Sequence, residues 1–161
     1  MQKGISPFIS LILVVMISIS GIVLVLRIGR PLMEKTEDYS VVLEAKDVMN
    51  QINSAMKDVS YEGNGSSRKL NVKISRGTYH TSFSDDSITY ELNSKHKLFS
   101  DMSKKEGDLY VEFYNDTLKL IVNSTKVDIT NNERWSRGNY NIVINNEGYS
   151  GGKTKISVNV I

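Results

Sequence analysis

The sequence predicts an α+β protein in which a long N-terminal α-helix packs on a C-terminal antiparallel β-sheet or sandwich head. Residues 5–26 contain no charged side chain, and residues 41–59 repeat apolar side chains at helical spacing. After residue 67 the apolar period falls from 3.6 to 2, which is the period of strands. The expected order is an apolar helix segment over residues 5–30, an amphipathic helix half over 31–62 and a β-rich head over 63–161.

Length and composition limit the possible functions. A chain of 161 residues leaves room for one modest folded unit after its apolar N-terminus. Lys and Arg total 20 against 18 for Asp and Glu, which is too even a balance to indicate a nucleic-acid partner. The absence of cysteine excludes disulfides, thiolate metal sites and a cysteine nucleophile.

The uncharged segment has the length and composition of a membrane span. At about 1.5 Å per helical residue, Ile5 to Leu26 covers the roughly 30 Å of a bilayer core. Ser6 followed by Pro7 is typical of a helix start, because the serine can cap free amides and proline suits the first helical position. Pro31 lacks an amide donor, so we expect a kink or short break there.

The second half of the helix carries one apolar stripe. Its members are separated by alternating steps of four and three residues, which places them on one face: Val41, Ala45, Val48, Ile52, Ala55 and Val59. We interpret this face as packing against the head. The alternative is a dedicated seam for a partner.

Six later segments are predicted strands. Five alternate apolar and polar residues, around Leu70–Ile74, Ile88–Leu92, Leu109–Phe113, Tyr140–Ile144 and Ile156–Val160, and Leu118–Val122 is a more continuous apolar run. Turn signals separate them at Arg76-Gly77, Asp85-Asp86, Asn115-Asp116, Asn131-Asn132, Arg137-Gly138, Asn145-Asn146 and Gly151-Gly152. A polar connector at residues 62–67 ends the helix. Six to eight antiparallel strands are expected.

The N-terminal sequence KGISPFISLILVVMISISGIVLVL resembles the class III signal and N-terminal helix of archaeal type IV pilins. In that family a membrane peptidase cuts after the glycine that ends a short basic leader. The resemblance makes residues 1–4 the leader, assigns processing to Lys3, Gly4 and Ile5, and makes Ile5 the mature N-terminus. Bacterial members usually carry glutamate at the fifth mature position, whereas this chain has Ile9.

The resemblance and the physics of the apolar segment lead to one functional hypothesis. A helix this apolar must stay in lipid or be covered by copies of itself, which indicates a homo-oligomeric filament at the cell surface. The expected partners are prepilin peptidase, the pilus assembly machinery and, before assembly, the cytoplasmic membrane. Residues assigned to the filament core are Ile9, Leu13, Ile17, Gly21 and Leu24.

Two alternatives use the same residues differently. A single-pass anchor would hold a surface adhesin or sensor head that never polymerises. An ordinary secretory signal would be cut near Ser18-Ile19-Ser20, although the apolar run continues beyond that point to Leu26.

The remaining motifs do not indicate an enzyme. Three N-x-Ser/Thr sequons, at Asn64, Asn115 and Asn123, are candidates for N-glycosylation of an exported head. No nucleophile elbow or phosphate-binding glycine loop occurs, and we expect no cofactor and no metal. The two histidines, His80 and His96, lack a second ligand at metal-binding spacing. The lone tryptophan, Trp135, is interpreted as a core residue, with an exposed contact as the alternative.

Overall fold

A computed structural model describes residues 7–94 and 103–161. Its elements are one helix, α1 (Pro7–Glu62), followed by ten strands within the described ranges. The strands are β1 (Ser67–Ile74), β2 (Thr78–Ser82), β3 (Ser87–Asn93), β4 (Ser103–Glu106), β5 (Leu109–Tyr114), β6 (Thr117–Asn123), β7 (Val127–Ile129), β8 (Arg134–Trp135), β9 (Gly138–Ser150) and β10 (Lys153–Val160). The predicted α+β class is confirmed.

The chain divides into two compact units at Glu37/Asp38. The first unit, through Glu37, is described only as helix from Pro7 onward. Helix is assigned at Pro31 and at both of its neighbours, so the expected short break is absent. Proline removes a single backbone hydrogen bond, and the turns on either side keep theirs. The Thr36 hydroxyl adds a bond to the Leu32 carbonyl at 2.9 Å.

The second unit, Asp38–Ile161, is the head, and it contains two sheets. One sheet has the order β1-β9-β10-β7 and the other the order β4-β5-β6-β3-β2-β8. All pairs are antiparallel except β7 with β10, which run parallel. The predicted antiparallel head is confirmed, and β7 with β10 is the one parallel pair among the described strands.

The six predicted strands correspond to β1, β3, β5, β6, β9 and β10. The expected count of six to eight is too low, because β2, β4, β7 and β8 are short or polar and carry little apolar alternation. Their pairing comes from neighbours that are distant in sequence, as when Trp135 of β8 pairs with Tyr79 of β2.

The predicted turn at Asn145-Asn146 is wrong. Both residues lie inside β9, which continues to Ser150. The register against β10 shifts near this point: Asn146 pairs with Ile156 and Gly148 with Lys155, so Glu147 is the extra residue of a β-bulge. The Asn-Asn pair that suggested a turn therefore lies beside a bulge within a continuous strand.

One apolar core joins the buried face of α1 to both sheets. All six stripe positions, from Val41 to Val59, lie in this core. Met49 and Met56 extend the buried face, at 1% and 2% exposed. Because the core includes β1 and β9 of one sheet and β3 and β6 of the other, this part of the helix is integral to the head.

Candidate functional site

The first candidate site is the apolar segment of α1. Every large apolar side chain from Phe8 to Ile28 is between 46% and 69% exposed. This segment is long and apolar enough to cross a membrane, and none of it is buried within the chain. Such a surface is stable only in lipid or against another apolar surface.

Two serine hydroxyls inside this segment already have hydrogen-bond acceptors. The Ser18 hydroxyl donates to the Val14 carbonyl and the Ser20 hydroxyl to the Met16 carbonyl, each at 2.8 Å. A serine that bonds its own helix in this way needs no water, so it can enter an apolar environment. Gly21 has no heavy atom within 4 Å of the position a Cβ would occupy, which leaves space for close approach by another helix.

The five positions assigned to the filament core lie along this surface. Ile9, Leu13, Ile17 and Leu24 are each more than half exposed, and Gly21 is exposed with them. They are therefore available to lipid or to another copy. The processing residues Lys3, Gly4 and Ile5 lie outside the described residues.

A polar network fixes the start of the buried helix half to the sheets. Asp38 is 5% exposed, and its carboxylate accepts a hydrogen bond from the Arg76 guanidinium at 2.5 Å and one from the Ser94 hydroxyl at 2.6 Å. Six residues later, Glu44 accepts a hydrogen bond from the Ser75 amide at 2.9 Å and one from the Ser75 hydroxyl at 2.7 Å. A buried carboxylate is tolerated only with such partners, so the network specifies how the helix docks.

Two further ion pairs tie α1 to the β4–β5 hairpin. Lys46 lies 2.7 Å from Glu106, and Lys57 pairs with Asp108, which also accepts from the Asn53 amide at 3.2 Å. The hydrogen bond from Lys46 lowers the pKa of Glu106, and those from Lys57 and then Asn53 lower the pKa of Asp108. Both carboxylates are solvent-accessible, so these pairs contribute mainly orientation.

The helix–strand connection is bonded to β9. The Gly65 amide donates to the Asn146 carbonyl and the Asn146 amide to the Ser66 carbonyl, both at 2.9 Å. The buried Asn146 side chain donates to the Val59 carbonyl of α1 at 2.9 Å and accepts from the Gly148 amide at 2.8 Å. A residue that sequence reasoning assigned to a turn is thus a buried link between the helix and the sheet.

An aromatic cluster closes the edge of the six-stranded sheet. The Tyr79 ring stacks on Trp135 with centroids 5.8 Å apart and meets the Tyr90 ring at 4.7 Å. Burial raises the pKa of both tyrosines well above the ordinary value. The Tyr90 hydroxyl donates to the Arg76 carbonyl at 3.1 Å. Trp135 is 4% exposed, so it is a core residue as predicted, and its indole nitrogen has no partner in the described part of the chain.

All three sequon asparagines are exposed. Asn64 lies in the connector after α1, and Asn123 ends β6. Asn115 and Asp116 form the two-residue turn between β5 and β6, both with positive φ. Each side chain is therefore accessible for modification.

The described residues of the head, 38–94 and 103–161, assemble no candidate metal site. No group of three or more His, Asp and Glu side chains there could hold a metal ion. Asp86, at one of the predicted turns, pairs with Lys153 and accepts from the Ile129 amide at 3.2 Å. His80 lies on β2, and His96 lies outside the described residues.

Sequence reasoning missed Asp38, Arg76, Ser94 and Asn146 as docking residues. A signal existed for Asp38 alone, which precedes Val41 and Ala45 at the spacing of the stripe face. The other three act through contacts between residues far apart in the chain.

Comparisons of this chain with protein-family models, with curated proteins and with solved structures found no match.

Proposed function

We propose that this protein is a structural subunit of an extracellular filament of the type IV pilus kind, which assembles through its apolar N-terminal helix. The observation that carries the proposal is the apolar segment from Phe8 to Ile28, none of which is buried within the chain. Covering roughly 2000 Å² of apolar surface is worth some tens of kcal/mol at about 25 cal/mol per Å², as an upper estimate.

The proposed order of processing and assembly follows from the environments in which that apolar surface is stable. Before assembly the segment lies in the cytoplasmic membrane, and a prepilin peptidase removes residues 1–4 after Gly4. On assembly the segment leaves the lipid and packs against identical segments, with Ile9, Leu13, Ile17, Gly21 and Leu24 in the filament core. The head then lies on the outside of the filament, where it meets surfaces to which the cell adheres.

The internal bonding of the segment supports this route. A helix that exchanges lipid for protein neighbours must not expose unsatisfied polar groups in either setting. Ser18 and Ser20 bond their own backbone, and their small side chains permit neighbouring helices to approach. The role is structural, and it requires no cofactor, metal or catalytic residue.

The test is electron microscopy of material sheared from the surface of cells that express the full chain, with antibodies raised against the head. Filaments decorated along their whole length are expected. If the protein is processed and membrane-inserted but its antibodies label only the membrane, the alternative of an anchored adhesin or sensor head replaces this proposal.

A further inference from the structure

A short band of charged residues follows the apolar segment. Arg27 and Arg30 come first, and Glu34 and Glu37 follow, all exposed on the described helix. The band lies within the first unit, so its geometry is that of one regular helix.

The spacing of the band is regular. Glu34 lies seven residues after Arg27, and Glu37 lies seven residues after Arg30. Seven residues are about 10.5 Å along a helix and fall within about 20° of two full turns. Glu34 therefore lies almost directly above Arg27 on the same face of the helix, and Glu37 lies in the same way above Arg30. The two members of each pair are too far apart to form an ion pair within one chain.

We propose, on the basis of the proposed function, that this band sets the axial register between neighbouring subunits. A second copy that is parallel, displaced by seven residues and rotated about its own axis so that its band faces the first copy brings its Arg27 level with Glu34 of the first and its Arg30 level with Glu37. Both pairs form on one face, about 60° apart, at the same displacement.

Other displacements are less favourable. Copies at the same level place like charges side by side at every position in the band. A shift of three residues sets Arg30 beside Arg27 and Glu37 beside Glu34, and a shift of eight sets Lys35 beside Arg27. A shift of four aligns one attractive pair, Glu34 with Arg30. A displacement of seven residues is the only one that gives two attractive pairs and no repulsive pair among the charges of residues 27–37.

The apolar segment cannot supply this register by itself. Its exposed side chains are nearly all aliphatic and similar in size, so sliding by one helical turn exchanges one apolar contact for another. Glu34 already takes part in an interaction within its own chain, and its carboxylate has acceptor capacity for a second donor. Complementary charges fix the axial position of one subunit against its neighbour, whereas apolar contacts hold the two subunits together at many positions.

The experiment uses two full-length variants with opposite charge. One carries Arg27→Glu and Arg30→Glu, and the other carries Glu34→Arg and Glu37→Arg. Filament yield is measured per membrane-inserted subunit, so that effects on insertion are divided out. Each variant alone is expected to lose on the order of tenfold in yield, since two attractive pairs become repulsive in every contact.

Expressed together, the two variants should co-assemble and recover the wild-type yield, because each supplies the charge that the other lacks. A chain with all four charges reversed restores both pairs within one protein and should also assemble. Lys35→Glu is the matched control: the residues seven before and seven after it are Ile28 and Val42, so assembly should be unchanged.

Two outcomes separate the register from the proposed function. If wild-type filaments form and either variant alone assembles equally well, or if the two inserted variants fail to co-assemble, the charge register is wrong while the filament stands. If the wild-type chain forms no filaments, the proposed function fails, and this inference fails with it.

Discussion

Ile52→Ala tests whether the second half of α1 belongs to the head. Ile52 is 1% exposed and lies in the core that joins the helix to both sheets. The substitution removes about three buried carbon groups, or about 2.4 kcal/mol at roughly 0.8 kcal/mol each. The cavity left behind adds to this, so we expect a loss of about 3–4 kcal/mol in the free energy of unfolding.

The assay is urea unfolding of the full chain in a mild non-ionic detergent, followed by tryptophan fluorescence. Trp135 is the lone tryptophan and is buried in the head, so its emission reports unfolding of that unit. Leu43→Ala is the matched control, since Leu43 lies on the same helix at 49% exposed and should cost less than about 1 kcal/mol. Equal shifts of the urea midpoint for the two variants would refute the assigned packing.

Three further predictions concern acid stability, processing and modification. Because Lys46 lowers the pKa of Glu106 below its ordinary 4.5, that carboxylate stabilises the fold above about pH 4.5 and loses its contribution as the pH falls through the lowered value. Lys46→Gln should therefore flatten the fall of the urea midpoint between about pH 6 and pH 3, and an unchanged slope would contradict this. Intact mass of surface material should correspond to a chain that begins at Ile5, whereas a start at Gly21 would indicate ordinary secretion. Peptide mass spectrometry of native protein should find a glycan on at least one sequon, with Asn64 the first candidate, and three bare asparagines would exclude it.

The helix and the main strands could be predicted because their signals are local. An uncharged run, an apolar stripe of period 3.6 and alternating runs of period 2 each lie within a few turns or one strand. The stripe from Val41 to Val59 needed no knowledge of its partner to be placed on one face. Six strands followed from the same reasoning.

The remaining elements depend on contacts between distant residues. β8 is two residues long and exists because Arg134 and Trp135 pair with β2. Asn146 was placed in a turn by its residue type, whereas a bulge and a bond to the Val59 carbonyl hold it inside a strand. The parallel edge pair of β7 and β10 likewise has no local sequence signal.

The candidate site divides in the same way. The apolar segment could be predicted, because an uncharged run over residues 5–26 is a local signal. The docking network around Asp38 could not, because Arg76 and Ser94 reach it from 38 and 56 residues away.

The most direct test of the central claim is Ile17→Asp, scored by electron microscopy of sheared filaments. Ile17 is 63% exposed in the middle of the apolar segment, and an unpaired carboxylate in a filament core costs several kcal/mol in every subunit. Aspartate also penalises membrane insertion by roughly 3 kcal/mol, so inserted protein is quantified first, with Ile17→Leu as the apolar control. We predict that inserted Ile17→Asp protein keeps a folded head and forms no filaments, while Ile17→Leu assembles normally. Filaments of wild-type diameter from normally inserted Ile17→Asp protein would contradict the account.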